Sequence, residues 1–289
     1  MSSNSEKVWT VLSMLEWATD YFEEKKIQNP RLSVEWLLAH VLEINRLDLY
    51  LNFDRPLSPS ELDQLRPLVK RRGSHEPLQY ITGSTDFLNC TIQVNQHVLI
   101  PRTETEQLVE IILNRFPKNR NLSLLDIGTG SGCIPIAIKK ARPEWSCTGV
   151  DISSEALEVA NSNAEFNQVD VEFLRADLNS ISGEPTFTNQ HWDIVVSNPP
   201  YITHPEKEEI DPQVLEFEPE LALFHNSPLH LYKKISEFSA KAGATLFLEC
   251  NNKFAADIKD TTLSFYESAE LLQDYDENER FVVAINPRN

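Results

Sequence analysis

Apolar residues recur at helical spacing in the first eighty positions, where Leu32, Trp36, Leu37, Val41, Leu42 and Ile44 follow Asn29 and Pro30, an N-cap and first-turn pair. Ser58, Pro59 and Glu61 repeat the start signal, with Glu61 at the third position of a capping box and Gly73 as the expected C-cap. Pro67 predicts a kink or break in that second helix. Between 81 and 100 the pattern becomes strand-like: Phe87, Cys90, Ile92, Val94, Val98 and Ile100 stand among polar residues with partial alternation, which predicts a hairpin. From Leu122 onward apolar strands alternate with helical segments. Strands are expected at Leu122 to Ile127, Ser146 to Val150, Val171 to Leu174, Asp193 to Ser197 and Ala244 to Leu248. Helices are expected near 131–141, 154–166 and 229–241, with a closing antiparallel pair at Ala269 to Leu272 and Phe281 to Ile285. This rhythm predicts an α/β fold, a Rossmann-like parallel sheet with helices on both faces and ligands at the carboxyl ends of the strands. The expected organisation is a helical domain at 1–80, a connecting β-hairpin at 81–100 and a main domain at 101–289.

Length and composition narrow the function classes. The 289 residues are 41% hydrophobic, enough for a sizeable core. Cys90, Cys133, Cys147 and Cys250 are scattered singly, without disulfide density or ligand spacing, which suits a reducing cytoplasm. The first residues lack a basic stretch followed by an apolar run, so neither export nor membrane insertion is expected. His75, His97, His191, His204, His225 and His230 form no metal-binding spacing, and no metal site is expected. The aromatic residues read as core, with Trp36 and Trp192 buried. Residues 1–80 hold 10 basic and 12 acidic residues, so nearly all of the net charge of −18 falls beyond residue 80. Such a field repels nucleic acid and attracts a cationic protein partner.

The candidate chemistry lies at the strand ends. The first strand of the main domain runs into Gly128-Thr129-Gly130-Ser131-Gly132, where glycines let the backbone turn sharply and approach a ligand. The third glycine of a dinucleotide fingerprint would fall at Cys133, which weakens a nicotinamide or flavin reading. Asp151 ends the second strand, where a carboxylate can accept both ribose hydroxyl hydrogens. Asp177, after the third strand, suits an adenine amino group, and Asp126 suits the amino group of a methionine moiety. The glycines alone are also a structural turn, and each aspartate alone a helix cap; their succession at three strand ends favours an adenosine-bearing cofactor.

The fourth strand delivers Asn198-Pro199-Pro200-Tyr201 to the same edge. Asn-Pro-Pro alone is an ordinary turn sequence. Beside a cofactor loop it suits methyl transfer to a trigonal nitrogen, with the Asn198 side-chain oxygen and Pro199 carbonyl accepting the two amide hydrogens and Tyr201 stacking on the amide plane. Residues 201–227 follow, rich in glutamate, and read as a substrate-binding loop or lid. Thr103 and Glu106 have capping-box spacing, so the segment from Ile100 is a helix entry, a cofactor contact or both.

Taken together, Glu76-Pro-Leu-Gln-Tyr-Ile-Thr-Gly83, Phe87, Val98-Leu-Ile-Pro-Arg-Thr-Glu-Thr-Glu106, Leu125-Asp-Ile-Gly-Thr-Gly-Ser-Gly132, Val150-Asp151, Ser197-Asn-Pro-Pro-Tyr201 and Glu218-Pro219 resemble the bacterial protein-(glutamine-N5) methyltransferases that modify peptide chain release factors. The resemblance covers nearly the whole chain. It implies a class I methyltransferase domain, S-adenosyl-L-methionine as cofactor, the glutamine of a release factor's Gly-Gly-Gln loop as acceptor, and docking of that factor on the N-terminal helices and hairpin. It also places Phe87, Arg102, Thr103 and Glu104 near the cofactor pocket, together with Asn198, and implies a cytoplasmic enzyme, expected as a monomer without a direct nucleic-acid substrate. Three positions depart from the family pattern: Thr103 stands where proline is usual, His225-Asn-Ser-Pro-Leu-His230 replaces a Gly-x-Asp-Gly turn, and Glu249-Cys250-Asn251 replaces Glu-x-Gly. A nucleic-acid amino methyltransferase is the competing reading, since exocyclic amines share the trigonal N–H geometry, but it calls for a basic recognition surface.

Overall fold

The computed structural model describes residues 8–181 and 183–288, and it divides the chain at Gly83/Ser84 into two compact units. The first unit is helical: α1 (Val11–Glu24), α2 (Pro30–Leu42), α3 (Pro59–Gly73) and the short α4 (Leu78–Thr82), with a 3₁₀ turn at Arg46–Leu51. Its core is Val11, Leu15, Ala18 and Phe22 of α1, Val34, Leu37 and Leu38 of α2, and Leu65 and Val69 of α3. Ser58 and Glu61 close the expected capping box on α3. Asn29 stands at the N-cap of α2 but in the left-handed region, φ 48°, without a side-chain bond.

Three expectations for this unit are corrected. Trp36 is 41% exposed, because α2 turns Val34, Leu37 and Leu38 inward and leaves Leu32 and Trp36 on its outer side. Pro67 lies inside α3 without ending it; its ring and Asp63, whose carbonyl loses its i+4 donor, are both on the exposed side of the helix. Gly73 is the last helical residue, with Ser74 as the cap. Its role is close packing: a Cβ there would lie 2.8 Å from the Tyr21 ring.

The second unit opens with the antiparallel hairpin β1 (Ser84–Phe87) and β2 (Cys90–Gln93). A seven-stranded sheet follows, from β3 (Ser123–Ile127), β4 (Ser146–Asp151), β5 (Glu172–Arg175), β6 (Ile194–Ser197), β7 (Thr245–Glu249), β8 (Tyr266–Gln273) and β9 (Glu279–Pro287). The strand order is β5-β4-β3-β6-β7-β9-β8, parallel except for β9, which runs antiparallel to both of its neighbours. Flanking helices include α5 (Thr103–Arg115), α6 (Cys133–Ala141), α7 (Ser154–Asn167) and the helix Pro228–Lys241. The central strands β3 and β6 are buried along nearly their whole length, as strands covered on both faces must be. Trp192 is buried and donates its indole N–H to the Phe187 carbonyl at 3.0 Å. No helix among the described residues is long and apolar enough to cross a membrane.

Candidate active site

The sheet reverses its direction of growth at β3, with β4 on one side and β6 on the other. Chain crossovers leave opposite faces of the sheet at such a point, and a crevice opens beyond the strand ends. Here the crevice is a cleft of ≈ 400 Å³, lined by Arg102, Gly128, Thr129, Gly130, Asp151, Asp177, Asn198 and Pro199 among others.

On the β4 side the backbone makes the wall. Gly128, Gly130 and Gly132 have φ of +76°, +54° and +78°, the left-handed conformation that glycine adopts without strain. At Gly132 space is also short, since a Cβ would stand 2.9 Å from Phe173. Gly149, opposite Asp126 in the β3–β4 ladder, makes room for the same ring and for Thr129. One oxygen of Asp151 accepts the Gly130 N–H at 2.9 Å and the other accepts the Ser153 N–H at 3.0 Å. The carboxylate is thereby fixed at the cleft, with lone pairs left for two hydroxyl donors.

Asp126 lies beneath the glycine turn, fully buried, and neither its carboxyl oxygens nor the Thr129 hydroxyl has a hydrogen-bond partner among the described residues. Burial pushes Asp126 up to about 7; the nearby Thr129 hydroxyl offsets this in part from outside hydrogen-bond geometry, and the Asp151 charge adds to it. Asp177 lines the cleft at the end of β5, with one oxygen accepting from the Asn179 backbone N–H at 2.8 Å.

On the β6 side, side chains from distant segments meet. Asn198 follows β6 directly and donates its Nδ2–H to Thr105 Oγ1 at 3.1 Å, and Thr105 donates its hydroxyl to Glu249 Oε2 at 2.8 Å. Glu249 is 1% exposed, and burial pushes its pKa up to about 7. Arg102 pairs with Glu218 at 2.6 Å, and the second Glu218 oxygen accepts the Ile100 N–H at 3.2 Å.

Several sequence-predicted residues stand back from the cleft wall. Phe87 is buried on β1, Thr103 is exposed at the first position of α5, and Glu104 beside it is half-buried. Tyr201 packs against the core cluster of the sheet, and burial together with the Glu249 charge keeps its phenol above its usual range and neutral. The Thr103–Glu106 capping box does not form: Arg102 is the N-cap without a side-chain bond, and Glu106 accepts the Leu88 N–H at 2.7 Å. Residues 201–227, read as a loop, contain a 3₁₀ turn at His204–Glu209 and helices at Pro212–Phe217 and Glu220–Leu223. The departure at Asn251 is harmless to the backbone, whose φ of −74° makes no demand for glycine. Sequence reasoning did not single out Thr105, and it met Glu218 and Glu249 without assigning them a bonding role. Of the family motifs, Glu218-Pro219 and the segment Glu249-Cys250-Asn251 at the end of β7 carried the available signal.

The sheet order, the glycine turn after β3 and the carboxylate after β4 define a class I, Rossmann-like methyltransferase. The fold alone is shared with the hMettl16 catalytic domain in complex with MAT2A 3'UTR hairpin 6, at TM-score 0.54 and 14% identity over 77% of this chain and 82% of that one. Residues 13–83 match the PrmC N-terminal domain and residues 101–217 the Methyltransferase small domain. The release factor glutamine methyltransferase of Chlorobaculum tepidum is 36% identical over 95% of this chain and 97% of its own length. That of Geobacter sulfurreducens is 42% identical over 75% of this chain and 74% of its own. The chain belongs to the release factor glutamine methyltransferase family.

Proposed function

We propose that this protein transfers a methyl group from S-adenosyl-L-methionine to the side-chain amide nitrogen, N5, of the glutamine in the Gly-Gly-Gln loop of peptide chain release factors, and does so in the cytoplasm. The observation that carries this reading is the meeting of Asp151 and the glycine turn with Asn198 and Pro199 in one cleft at the sheet's switch point. The buried, unpartnered Asp126 and Thr129 beneath that turn fit a cofactor with a cationic amino-acid end. In this reading Gly128, Thr129, Gly130 and Gly132 shape the seat of that end, and Asp151 takes the ribose and Asp177 the adenine. Phe87, Arg102, Thr103 and Glu104 support the pocket.

The cofactor supplies a methyl group already activated on a sulfonium. What remains for the protein is to align and desolvate a poor nucleophile, since an amide lone pair is delocalised into its carbonyl. Asn198 Oδ1 and the Pro199 carbonyl accept the two N–H hydrogens and stabilise positive charge as it develops on nitrogen. Two consecutive prolines stiffen the turn that presents them. Tyr201 closes the turn from the core side. No strong base is required when the proton leaves after the nitrogen has begun to gain positive charge.

The domain at 1–80, the hairpin at 81–100 and the acidic segment 201–227 receive the release factor, while 101–289 carries the chemistry. The test is transfer of labelled methyl to a release factor, with a factor whose loop glutamine is changed to alanine as the control and mass mapping of the modified residue. Label confined to the loop glutamine is expected; equal labelling of the control factor rejects the reading.

A further inference from the structure

The end of an asparagine side chain is nearly two-fold about its last torsion, so its oxygen and its NH₂ can exchange places at little cost unless their surroundings choose between them. An Asn198 that is to accept from a substrate N–H must present oxygen. Presenting its own NH₂ would set donor against donor. The choice is made on the side away from the substrate.

The β6–β7 register pairs Ser197 with Leu248, so Asn198 and Glu249 are the next residues out along adjacent strands. Thr105, in the first turn of α5, stands between them: Thr105 Oγ1 is 3.1 Å from Asn198 Nδ2 and 2.8 Å from Glu249 Oε2. Thr105 and Glu249 are 4% and 1% exposed, so water does not compete for either group. Tyr232 donates its hydroxyl to the Glu249 backbone carbonyl at 2.8 Å and fixes the strand end. A threonine hydroxyl has one proton and two lone pairs. With that proton committed to the Glu249 carboxylate, Thr105 can only accept from Asn198.

We infer that Thr105 and Glu249 are positioning residues that fix the donor–acceptor direction of the Asn198 amide, leaving Oδ1 as the end presented to the acceptor glutamine. This rests on the role proposed for Asn198. The direction depends on the charge of Glu249: a protonated carboxyl can donate to Thr105, whose own proton then turns to Asn198 and draws its oxygen away from the substrate. The groups acting on Glu249 are Glu104 and Arg102 at the entry to α5, Arg280 on β9, and the neutral phenols Tyr201 and Tyr232, with Cys133 and Cys250 also close.

The test compares Thr105→Val, Thr105→Ser and Glu249→Gln in the full chain. Thr105→Val keeps shape but removes the hydroxyl. It is expected to lower the single-turnover rate about tenfold, with cofactor affinity by calorimetry and release-factor KM changed less than about twofold. Thr105→Ser is expected to restore the rate to within about threefold of the parent. In an Asn198→Ala background, Thr105→Val is expected to cost nothing further, because the amide it orients is gone. At saturating cofactor the parent single-turnover rate should fall as pH drops through about 7, and Glu249→Gln should reduce that limb to whatever Asp126 contributes.

A Thr105→Val enzyme with parental rate, or a serine variant as impaired as valine, overturns the inference. If the valine variant does not fold, the pH profile decides, and an unchanged limb in Glu249→Gln overturns it equally. Full activity of Asn198→Ala alone would instead reject the underlying role of Asn198.

Discussion

The groups facing the cleft on the β4 side are held by partners close in sequence: Gly130 to Asp151 spans 21 residues, and Ser153 to Asp151 only two. Across the cleft the spans are 93 residues from Asn198 to Thr105, 144 from Thr105 to Glu249 and 116 from Arg102 to Glu218. The first side is a backbone device, set once strand, turn and helix form. The second is assembled only when the whole unit has folded. We therefore expect changes on the β4 side to act on cofactor affinity and local stability, and changes on the β6 side to act on the transfer step and substrate recognition.

The largest expected effect is on the backbone-built side. Asp151→Ala removes the acceptors for two ribose hydroxyls and is expected to weaken cofactor binding about 100-fold, at about 1.5 kcal/mol for each charge-assisted bond. Calorimetry checks this, and Asp151→Asn should fall between. Next comes Gly149→Ala, whose Cβ would stand 2.6 Å from Thr129 Oγ1 and 2.7 Å from Phe173. It is expected to cost about 2 kcal/mol in denaturant unfolding by overpacking beneath the glycine turn. Unchanged stability would mean that the turn and the Phe173 ring can separate freely.

The β6 side is probed by Glu218→Gln, which leaves the Ile100 N–H an acceptor but removes the charge opposite Arg102. The expected result is a rise of about fivefold in release-factor KM in steady-state kinetics, with a smaller loss of cofactor affinity because Arg102 also supports the cofactor pocket. A loss confined to cofactor binding would move Arg102 and Glu218 to the other side of the comparison.

A further effect, read in stability and not in binding or rate, spans both sides. Asp126 and Glu249 sit near 7 in the folded protein against ordinary values of 3.8 and 4.5. Raised carboxyl pKa values mean that the folded state binds protons the unfolded chain has released. Their contribution is complete below the unfolded values and is lost as pH rises through about 7. Stability is expected to decline from about pH 4 to about pH 7 and to level off above that, and Glu249→Gln to flatten that decline in denaturant titrations at each pH.

The same contrast explains what could be read from the sequence. The strands β3 to β7 lie within one residue of their predicted bounds at either end, because each carries apolar residues inside it and glycine, aspartate or asparagine falls within two residues of its end. The glycine turn and Asp151 were legible for that reason. Thr105 was not, since a threonine in a helix's first turn carries no local sign that it bridges two strand ends. Trp36 was misplaced because Leu32 and Trp36 share a four-residue spacing as regular as that of Val34 and Leu38, and only packing on the other helices decides which row is buried. Gly73 had the position of a cap and serves instead as a close contact for Tyr21, a partner 52 residues away in sequence.

The division of the cleft is tested most directly by Asn198→Ala, assayed in single turnover at saturating cofactor and release factor with calorimetry of cofactor binding on the same preparation. The account predicts cofactor affinity within about twofold of the parent and a transfer rate lowered at least about tenfold, or about 1.4 kcal/mol in the transition state. A near-parental transfer rate, or a loss residing entirely in cofactor affinity, would contradict it.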